Sequence, residues 1–340
     1  MDIVIDRNQW IQNHNSESAR KNARSSMKYF DVFLHSRNYK EKELFEFLRK
    51  SDESETFFII RDIVIFLQRI KSYGTCRLYL TYVRSWFREN RLNIDERRMA
   101  SYVKWEKPLR ERKYTPDINV LSQILGRSNP KWRSYWLCLI ATGMRQGEAM
   151  KLRVKDFDLK SDPIKIILPA QITKTKQERV IFLTPEAWES MQYRFTNKSD
   201  NDLVFDDITT SALHKQFERI RKHLGIEEKY NTGRAKLTPH RLRAYVKKVF
   251  DRTTSSDISH VMLGHSTNLG TYDGDNDEGM KEDYKKAIES LTVDQTKKIK
   301  EIKEKNHDME ERIKVLEQTV RSQLMKHTPP PPLSHTYTEE

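Results

Sequence analysis

Residues 1–104 contain a single glycine, Gly74, and no proline. Glycine and proline are the residues that most often interrupt helices, so their near absence strongly limits what this part of the chain can form. Several amphipathic stretches follow one another, and Ser16 supplies a capping signal before one of them. The sequence therefore predicts a helical domain over 1–104, followed by a linker over 105–116 that contains two prolines and alternating charges.

Residues 117–292 have a mixed pattern. Trp132–Thr142 is an apolar helical run that ends at Gly143. Pro163–Leu168 and Arg179–Leu183 are rich in β-formers and are separated by a short polar segment, so they predict a hairpin. The expected fold class is mainly α with a small antiparallel β-sheet, in a second domain that spans 117–292.

The last part of the chain has a heptad pattern. Asn306 fills one core position of a seam whose apolar members are Ile299, Ile302, Met309, Ile313, Leu316 and Val320. Alternating three- and four-residue steps with charges elsewhere predict a coiled-coil helix over 293–325. An alternative is a solvated helix that folds back on its own domain. The proline-rich tail, 326–340, is expected to be disordered.

The composition indicates a polyanionic partner. The formal net charge is +13 and the pI is about 9.5, values typical of nucleic-acid-binding proteins. No apolar run is long enough to span a membrane. The two cysteines, Cys76 and Cys138, lie in apolar patterns and are expected to be reduced core thiols, which suits a cytoplasmic protein and excludes a thiolate zinc site.

Two basic stripes lie in the predicted helical domain. Their members are Arg20, Lys21, Arg24 and Lys28 on one helix, and Arg77, Arg84, Arg88 and Arg91 on a helix predicted over 76–91. A basic stripe is often only a solvated face, but two in one small domain favour contacts with DNA phosphates.

Three short segments place cations and hydrogen-bond donors next to tight turns. In ATGMRQGEAM, Arg145 opens a helix at its positive N-terminus, which suits an anion. In TPHRLR, His240 and Arg243 are three residues apart and share one helical face. In LGHS, His265 is followed by Tyr272. Each segment alone has an ordinary structural explanation, whereas their joint occurrence in this order is far more specific.

These segments resemble the arginine and histidine boxes of the tyrosine recombinase (phage-type integrase) family, and more particularly integrases of archaeal mobile elements. The resemblance covers about 114–292, and in the helical domain it is only architectural. It implies that Arg145 and Arg243 hold the non-bridging oxygens of the scissile phosphate, a task that suits the fixed fork of arginine. His240 would bind the same phosphate and assist removal of the nucleophile's proton.

Other roles follow from the same resemblance. Lys174, in the turn of the predicted hairpin, would protonate the leaving 5′-oxygen, with Lys176 as the alternative if the register of the turn differs. His265 would contact the phosphate or pack beside the nucleophile. Glu148 would orient Arg145, although an ordinary helix ion pair explains it equally well.

The nucleophile has two candidates. Tyr272 follows LGHS in the order that the family shows, although it lies closer to His265 than is usual. Tyr284 is the alternative, and the apolar residues that follow it are typical of a packing residue. We therefore expect Tyr272 to be the nucleophile.

The expected activity is site-specific recombination for integration or excision of a mobile element, by way of a 3′-phosphotyrosyl link. The resemblance implies double-stranded DNA as partner, assembly of four protomers on DNA, and no need for ATP, a metal or another cofactor. Two alternatives remain open, a non-catalytic DNA-binding regulator and a relaxing topoisomerase that uses the same chemistry.

Overall fold

The computed structural model describes residues 6–109, 111–264, 277–294 and 306–320. Contacts divide the chain into two units. The first comprises Met1–Arg112 and Lys229–Arg234, and the second comprises Lys113–Glu228 and Ala235–Glu340. The sequence did not predict that Lys229–Arg234 belongs to the first unit. One contact that joins this segment to the first unit is a hydrogen bond of 2.6 Å from the Asn231 backbone N–H to the Glu111 carboxylate.

The first unit is helical, as predicted. Its described helices are α1 (Arg7–Gln12), α2 (Glu17–Ser36), α3 (Glu41–Lys50), α4 (Glu53–Ile70), α5 (Tyr73–Glu89) and α6 (Glu96–Tyr102). Ser16 caps α2, since its hydroxyl oxygen accepts the Ala19 backbone N–H at 3.1 Å. Phe30, Phe45 and Phe87 pack against one another at the centre of this unit, with ring centroids 5.1–6.4 Å apart.

The prediction for α5 was wrong at both ends. The helix starts at Tyr73 and ends at Glu89, with Asn90 as its C-cap. Arg91 therefore lies outside the helix, in a left-handed conformation with φ of 62°. The chain reverses there, and Leu92 and Ile94 turn into the core.

The second unit combines helices with one small sheet. Its described helices are α7 (Ile118–Gly126), α8 (Pro130–Thr142), α9 (Gln146–Ala149), α10 (Pro185–Met191), α11 (Thr210–His223), α12 (His240–Thr253), α13 (Ser256–Leu263) and α14 (Asp277–Leu291). Helix α8 is buried on every side from Ser134 to Thr142, so it forms the centre of this unit. Both Cys76 and Cys138 are free and buried in their own units, as predicted.

The sheet confirms the predicted hairpin. Strands β2 (Lys165–Leu168) and β3 (Arg179–Phe182) pair antiparallel, with Ile166 opposite Ile181. A further strand, β1 (Phe157–Asp158), pairs with β2 at the other edge. The sequence did not predict β1, because two residues are too few to show a strand periodicity.

The segment after α14 corrects the predicted start of the coiled coil. Residues 292–294 are not helical, and Val293 is buried in the core of the second unit. The backbone N–H groups of Val293 and Asp294 donate to the buried carboxylate of Glu186, at 2.7 and 3.0 Å. Residues 306–320 are helical and exposed throughout, whereas the predicted seam positions Ile299 and Ile302 lie outside the described residues.

None of the described helices is both long enough and apolar enough to cross a membrane.

Gly143 gives a test of how α8 ends. Its φ is 61°, and a Cβ atom would lie 2.7 Å from Leu263 Cδ2 and 2.9 Å from Val246 Cγ1. We expect Gly143→Ala to lower the free energy of unfolding by about 2–4 kcal/mol, from left-handed strain and overpacking together. The measurement is chemical denaturation of the full chain.

Gly147→Ala is the matched control, because no heavy atom lies within 4 Å of the added Cβ atom and Gly147 lies in helix α9. This substitution should be neutral or slightly stabilising. Equal destabilisation by the two substitutions would contradict the account of the turn.

Candidate active site

The turn between α8 and α9 presents Arg145. Gly143 ends α8 in the left-handed conformation, and Arg145 is the N-cap residue of α9. The Arg145 backbone N–H donates to one Glu148 carboxylate oxygen at 2.9 Å, and its Nη1 donates to the other at 2.9 Å. Arg145 is thus held at a helix N-terminus by the carboxylate that follows it one turn later.

Glu148 is buried and contacts two arginines. Arg179 donates from Nη2 to Glu148 Oε2 at 2.5 Å, and the Arg179 side chain is only 4% exposed. Burial acts to raise the pKa of Glu148, but the hydrogen bonds and charges of Arg179 and Arg145 outweigh it and lower the pKa. Glu148 therefore stays ionised and joins α9 to the first residue of β3.

Arg243 is buried on the first turn of α12. Its Nη1 donates to the Gly143 carbonyl at 2.7 Å, and its Nη2 donates to the Leu263 carbonyl. The guanidinium thus connects the C-terminal ends of α8 and α13, where carbonyl groups lack helical partners. Burial, followed by the charges of Arg145 and Arg179, lowers the pKa of Arg243 to about 10.

The four side chains carry a net positive charge. Glu148 pairs with Arg145 and Arg179, and Arg243 lies close enough to be affected by all three of these charges. Three positive charges and one negative charge leave a surplus of two. We call these four residues the arginine cluster. A partly buried surplus of this kind is relieved by a bound anion, and guanidinium groups match a phosphate in shape.

Arg179 was missed by the sequence analysis, which took it only as the start of a β-run. It shares the buried face of β3 with Ile181. A charged residue in phase with buried apolar positions is the signal that could have identified it. Arg179 also packs against Gly264, since a Cβ atom there would lie 2.8 Å from Arg179 Nη1.

His240 opens α12, one turn before Arg243, and its side chain is partly buried and partly open to solvent. Partial burial, together with the positive charges of Arg243, Arg241, Arg145 and Lys113, lowers the pKa of His240. The imidazole is therefore neutral at neutral pH, with one nitrogen able to accept a proton.

The turn between β2 and β3 is organised by Thr173. Its buried hydroxyl lies 3.1 Å from the Ala170 carbonyl and 2.9 Å from the Gln177 carbonyl, and it accepts the Gln177 backbone N–H at 3.1 Å. Lys174 and Lys176 are both exposed on this turn, and Lys176 has a φ of 58°. The position of the turn therefore does not choose between Lys174 and Lys176 as the proton donor.

The two tyrosine candidates differ in what the structure describes. His265 and Tyr272 lie outside the described residues, which end in this region at Gly264. The Gly264 carbonyl accepts a hydrogen bond from Arg145 Nη2 at 3.3 Å, so the glycine of the LGHS segment lies beside the arginine cluster.

Tyr284 lies in the core. It is 0% exposed, and its hydroxyl donates to the Ala141 carbonyl at 3.0 Å. Its ring packs between Phe182 and Phe250, and burial raises its pKa well above the ordinary value. These are the properties of a packing residue, and a buried neutral phenol has no access to a DNA phosphate.

The basic residues of the first unit are partly engaged by acidic neighbours. Glu17 accepts hydrogen bonds from Arg20 and Arg24, both at 3.1 Å, while Lys21 and Lys28 are exposed on the same helix, α2. Arg84 and Arg88 of α5 both pair with Glu96, and Arg77 is exposed. The Glu17 and Glu96 side chains are 72% and 58% exposed, so water screens these ion pairs and each contributes little to stability.

Among the residues that the structure describes, no group of three or more His, Cys, Asp or Glu side chains is placed to hold a metal ion.

Comparison with known proteins bears on the second unit. A sequence model of the phage integrase family matches residues 117–271. Tyrosine recombinase XerA of Saccharolobus solfataricus is 28% identical to this chain over 128 residues, which are 37% of this chain and 39% of the relative. The match thus spans well under half of that relative's length.

Two solved structures share the fold. The XerH site-specific recombinase bound to difH substrate has a TM-score of 0.52 at 19% identity, covering 78% of this chain and 76% of that chain. A lambda integrase dimer bound to a COC′ core site has a TM-score of 0.50 at 17% identity, covering 81% and 83%. The mainly helical fold with a small antiparallel sheet is therefore that of tyrosine recombinases. Residues 117–271 of this chain are therefore similar in sequence to the phage integrase family.

Proposed function

We propose that this chain is a site-specific DNA recombinase, an integrase that cuts and rejoins DNA strands through a tyrosine–phosphate bond. The observation that carries the proposal is the arginine cluster, in which Glu148 pairs with Arg145 and Arg179 while a third guanidinium, that of Arg243, lies within reach of their charges. A surplus of two positive charges suits the additional negative charge of a pentacoordinate phosphorane. The XerH and lambda integrase structures that share this fold are bound to DNA sites, which agrees with this substrate.

Arg145 and Arg243 hold the non-bridging oxygens of the scissile phosphate. Each guanidinium has five N–H donors, and the contacts of Arg145 and Arg243 within the protein leave donors available on both. Those contacts fix the direction of each fork before DNA arrives, so that little reorganisation is needed in the transition state.

Arg179 acts as a positioning residue for the same phosphate. If Glu148 faced Arg145 alone, one carboxylate would cancel one guanidinium. Because Arg179 donates to the second carboxylate oxygen, Glu148 can orient Arg145 while the cluster keeps its positive surplus. This role explains why a cation is buried at the start of β3.

The nucleophile is Tyr272. Its hydroxyl oxygen attacks phosphorus and its proton passes to neutral His240, while the bond from phosphorus to the 5′-oxygen breaks. Lys174 gives a proton to the leaving 5′-oxygen, and His265 contacts the phosphate. The 5′-hydroxyl of a partner strand then reverses these steps, so the phosphodiester bond is conserved and no ATP is consumed. The burial of Tyr284 supports this assignment by removing the competing tyrosine.

The setting is integration or excision of a mobile element inside the cell. Four protomers on two DNA sites would exchange strands, with the basic residues of α2 and α5 contacting DNA phosphates from the first unit. These contacts are sequence-independent, so they position the protein without selecting the site.

The two tyrosines give a matched pair of variants. Tyr272→Phe should abolish covalent protein–DNA adducts on a nicked suicide duplex made from the sequence that flanks the gene's insertion site, while DNA binding persists. Tyr284→Phe should still form adducts, but it should lower the free energy of unfolding by about 1–2 kcal/mol, because the Ala141 carbonyl loses its buried donor. Peptide mapping of trapped adducts identifies the linked residue.

DNA linked to Tyr284 would overturn the assignment of the nucleophile. Specific binding by the wild-type chain without any adduct would favour a DNA-binding regulator. Relaxation of supercoiled DNA without site preference would favour a topoisomerase.

Lys174 is tested by changing the leaving group. Lys174→Ala should slow cleavage of an ordinary phosphodiester by roughly 10²-fold or more, a typical contribution of a general acid. The loss should be much smaller for a 5′-bridging phosphorothiolate, since sulfur leaves without needing a proton. Lys176→Ala is the control on the same turn, and a larger substrate-dependent loss from Lys176→Ala would assign the proton donor to Lys176.

His240 predicts a pH dependence of DNA binding. In the free protein, partial burial and the charges of Arg243 and Arg241 lower the pKa of His240. A bound phosphate offsets that repulsion and raises the pKa, so binding takes up a proton. Affinity for the duplex should therefore increase as the pH falls from the ordinary histidine range toward the lowered pKa, as measured by fluorescence anisotropy. His240→Gln should lose this component, and an unchanged pH profile in His240→Gln would rule out a contact between His240 and the phosphate.

A further inference from the structure

The helix formed by residues 306–320 has an apolar stripe that no other described part of the chain covers. Met309, Ile313, Leu316 and Val320 are 57%, 53%, 62% and 53% exposed. They are separated by steps of four, three and four residues, so they lie along one side of the helix. An exposed stripe of this length and regularity is typical of a surface that another helix covers.

The residue types along the stripe favour two strands. With Ile313 assigned to heptad position a, the a positions are Asn306, Ile313 and Val320, and the d positions are Met309 and Leu316. β-Branched residues at a with Leu at d favour a two-stranded parallel coiled coil, and a single Asn at a fixes its register. The seam is continued upstream in the sequence by Ile299 and Ile302 at the same spacing.

The flanking charges select the parallel orientation. Arg312 occupies position g, and Glu310 and Glu317 occupy position e. In a parallel pair, Arg312 of one helix faces Glu317 of the other. In an antiparallel pair, the e positions face each other and bring Glu310 and Glu317 into repulsion.

Arg312 is available for such a pair. Its Nε lies 3.3 Å from an Asp308 carboxylate oxygen within the same helix, and the two side chains are 76% and 63% exposed. An ion pair this exposed contributes little, so the guanidinium can turn to a partner at low cost.

We propose that residues 306–320 form a parallel, in-register, two-stranded coiled coil with the same segment of a second copy of this chain. The association does not depend on the active site or on DNA. A seam of this length makes a weak dimer on its own, because short helices are marginal and Asn306 lowers the stability further. By tethering two protomers, the pair raises the effective concentration of the second protomer at a neighbouring DNA site.

Disulfide cross-linking tests both the partner and the orientation. In the proposed pair, the two copies of residue 306 face each other, whereas Gln318, at position f, points away from the seam. Oxidation of the full-length Asn306→Cys variant without DNA should give a covalent dimer at least tenfold faster than oxidation of Gln318→Cys. The native Cys76 and Cys138 are 0% exposed, so they contribute no background.

Equal cross-linking rates for the two variants would show random collision and overturn the proposal. Cross-linking at neither position would do the same, because antiparallel helices and unassociated helices both keep the two copies of residue 306 apart.

Sedimentation of uncross-linked protein gives the number of strands. The full chain should show a concentration-dependent equilibrium between monomer and dimer, and Ile313→Asp should be monomeric over the same range. Gln318→Asp adds the same charge away from the seam and should behave like the wild type. A truncation after Asp294 should also be monomeric. It retains Val293, which packs in the core of the second unit, so that the core is left intact. A wild-type monomer, a trimer or larger species, or a dimer that persists in Ile313→Asp would each overturn the proposal.

Discussion

Glu148 is a buried carboxylate held between the guanidinium groups of Arg145 and Arg179, and the geometry of the candidate site depends on it. Without Glu148, three guanidinium groups would lie close together with no carboxylate among them, at a cost of several kcal/mol. With it, α9 is joined to β3, and Arg243 completes the set by bonding the ends of α8 and α13. The ends of α8 and α13 and the starts of α9 and β3, which are far apart in sequence, therefore meet around these side chains.

The same arrangement separates the residues that bind from those that pack. The arginine cluster combines burial with a positive surplus, which suits an anion that arrives from outside. Tyr284, in contrast, is buried, and its hydroxyl already donates to the Ala141 carbonyl, so its single donor is not available to a ligand. The lysines of the β2–β3 turn are exposed, and the hydrogen bonds of the Thr173 hydroxyl fix the backbone from which their side chains extend.

Sequence periodicity was sufficient to predict the elements in which the apolar pattern continues over several helical turns or along a whole strand. It identified α8, the β2–β3 hairpin and the buried cysteines, and the order of the motifs indicated the resemblance that the family model of residues 117–271 supports. It failed where contacts distant in sequence decide the outcome. The end of α5 is set by the reversal at Arg91, and Val293 joins the core because Glu186 accepts its backbone N–H. Arg179 was missed because its partner, Glu148, is 31 residues away and only the fold brings the two together.

In the proposed chemistry, everything rests on Arg145 neutralising a non-bridging oxygen of the scissile phosphate. The most direct measurement compares wild-type and Arg145→Ala cleavage of a normal duplex and of one whose scissile phosphate is a methylphosphonate, in which a neutral methyl group replaces one charged oxygen. We expect a large loss of cleavage rate for Arg145→Ala on the phosphate and a much smaller loss on the methylphosphonate. An equal loss on both substrates would contradict it.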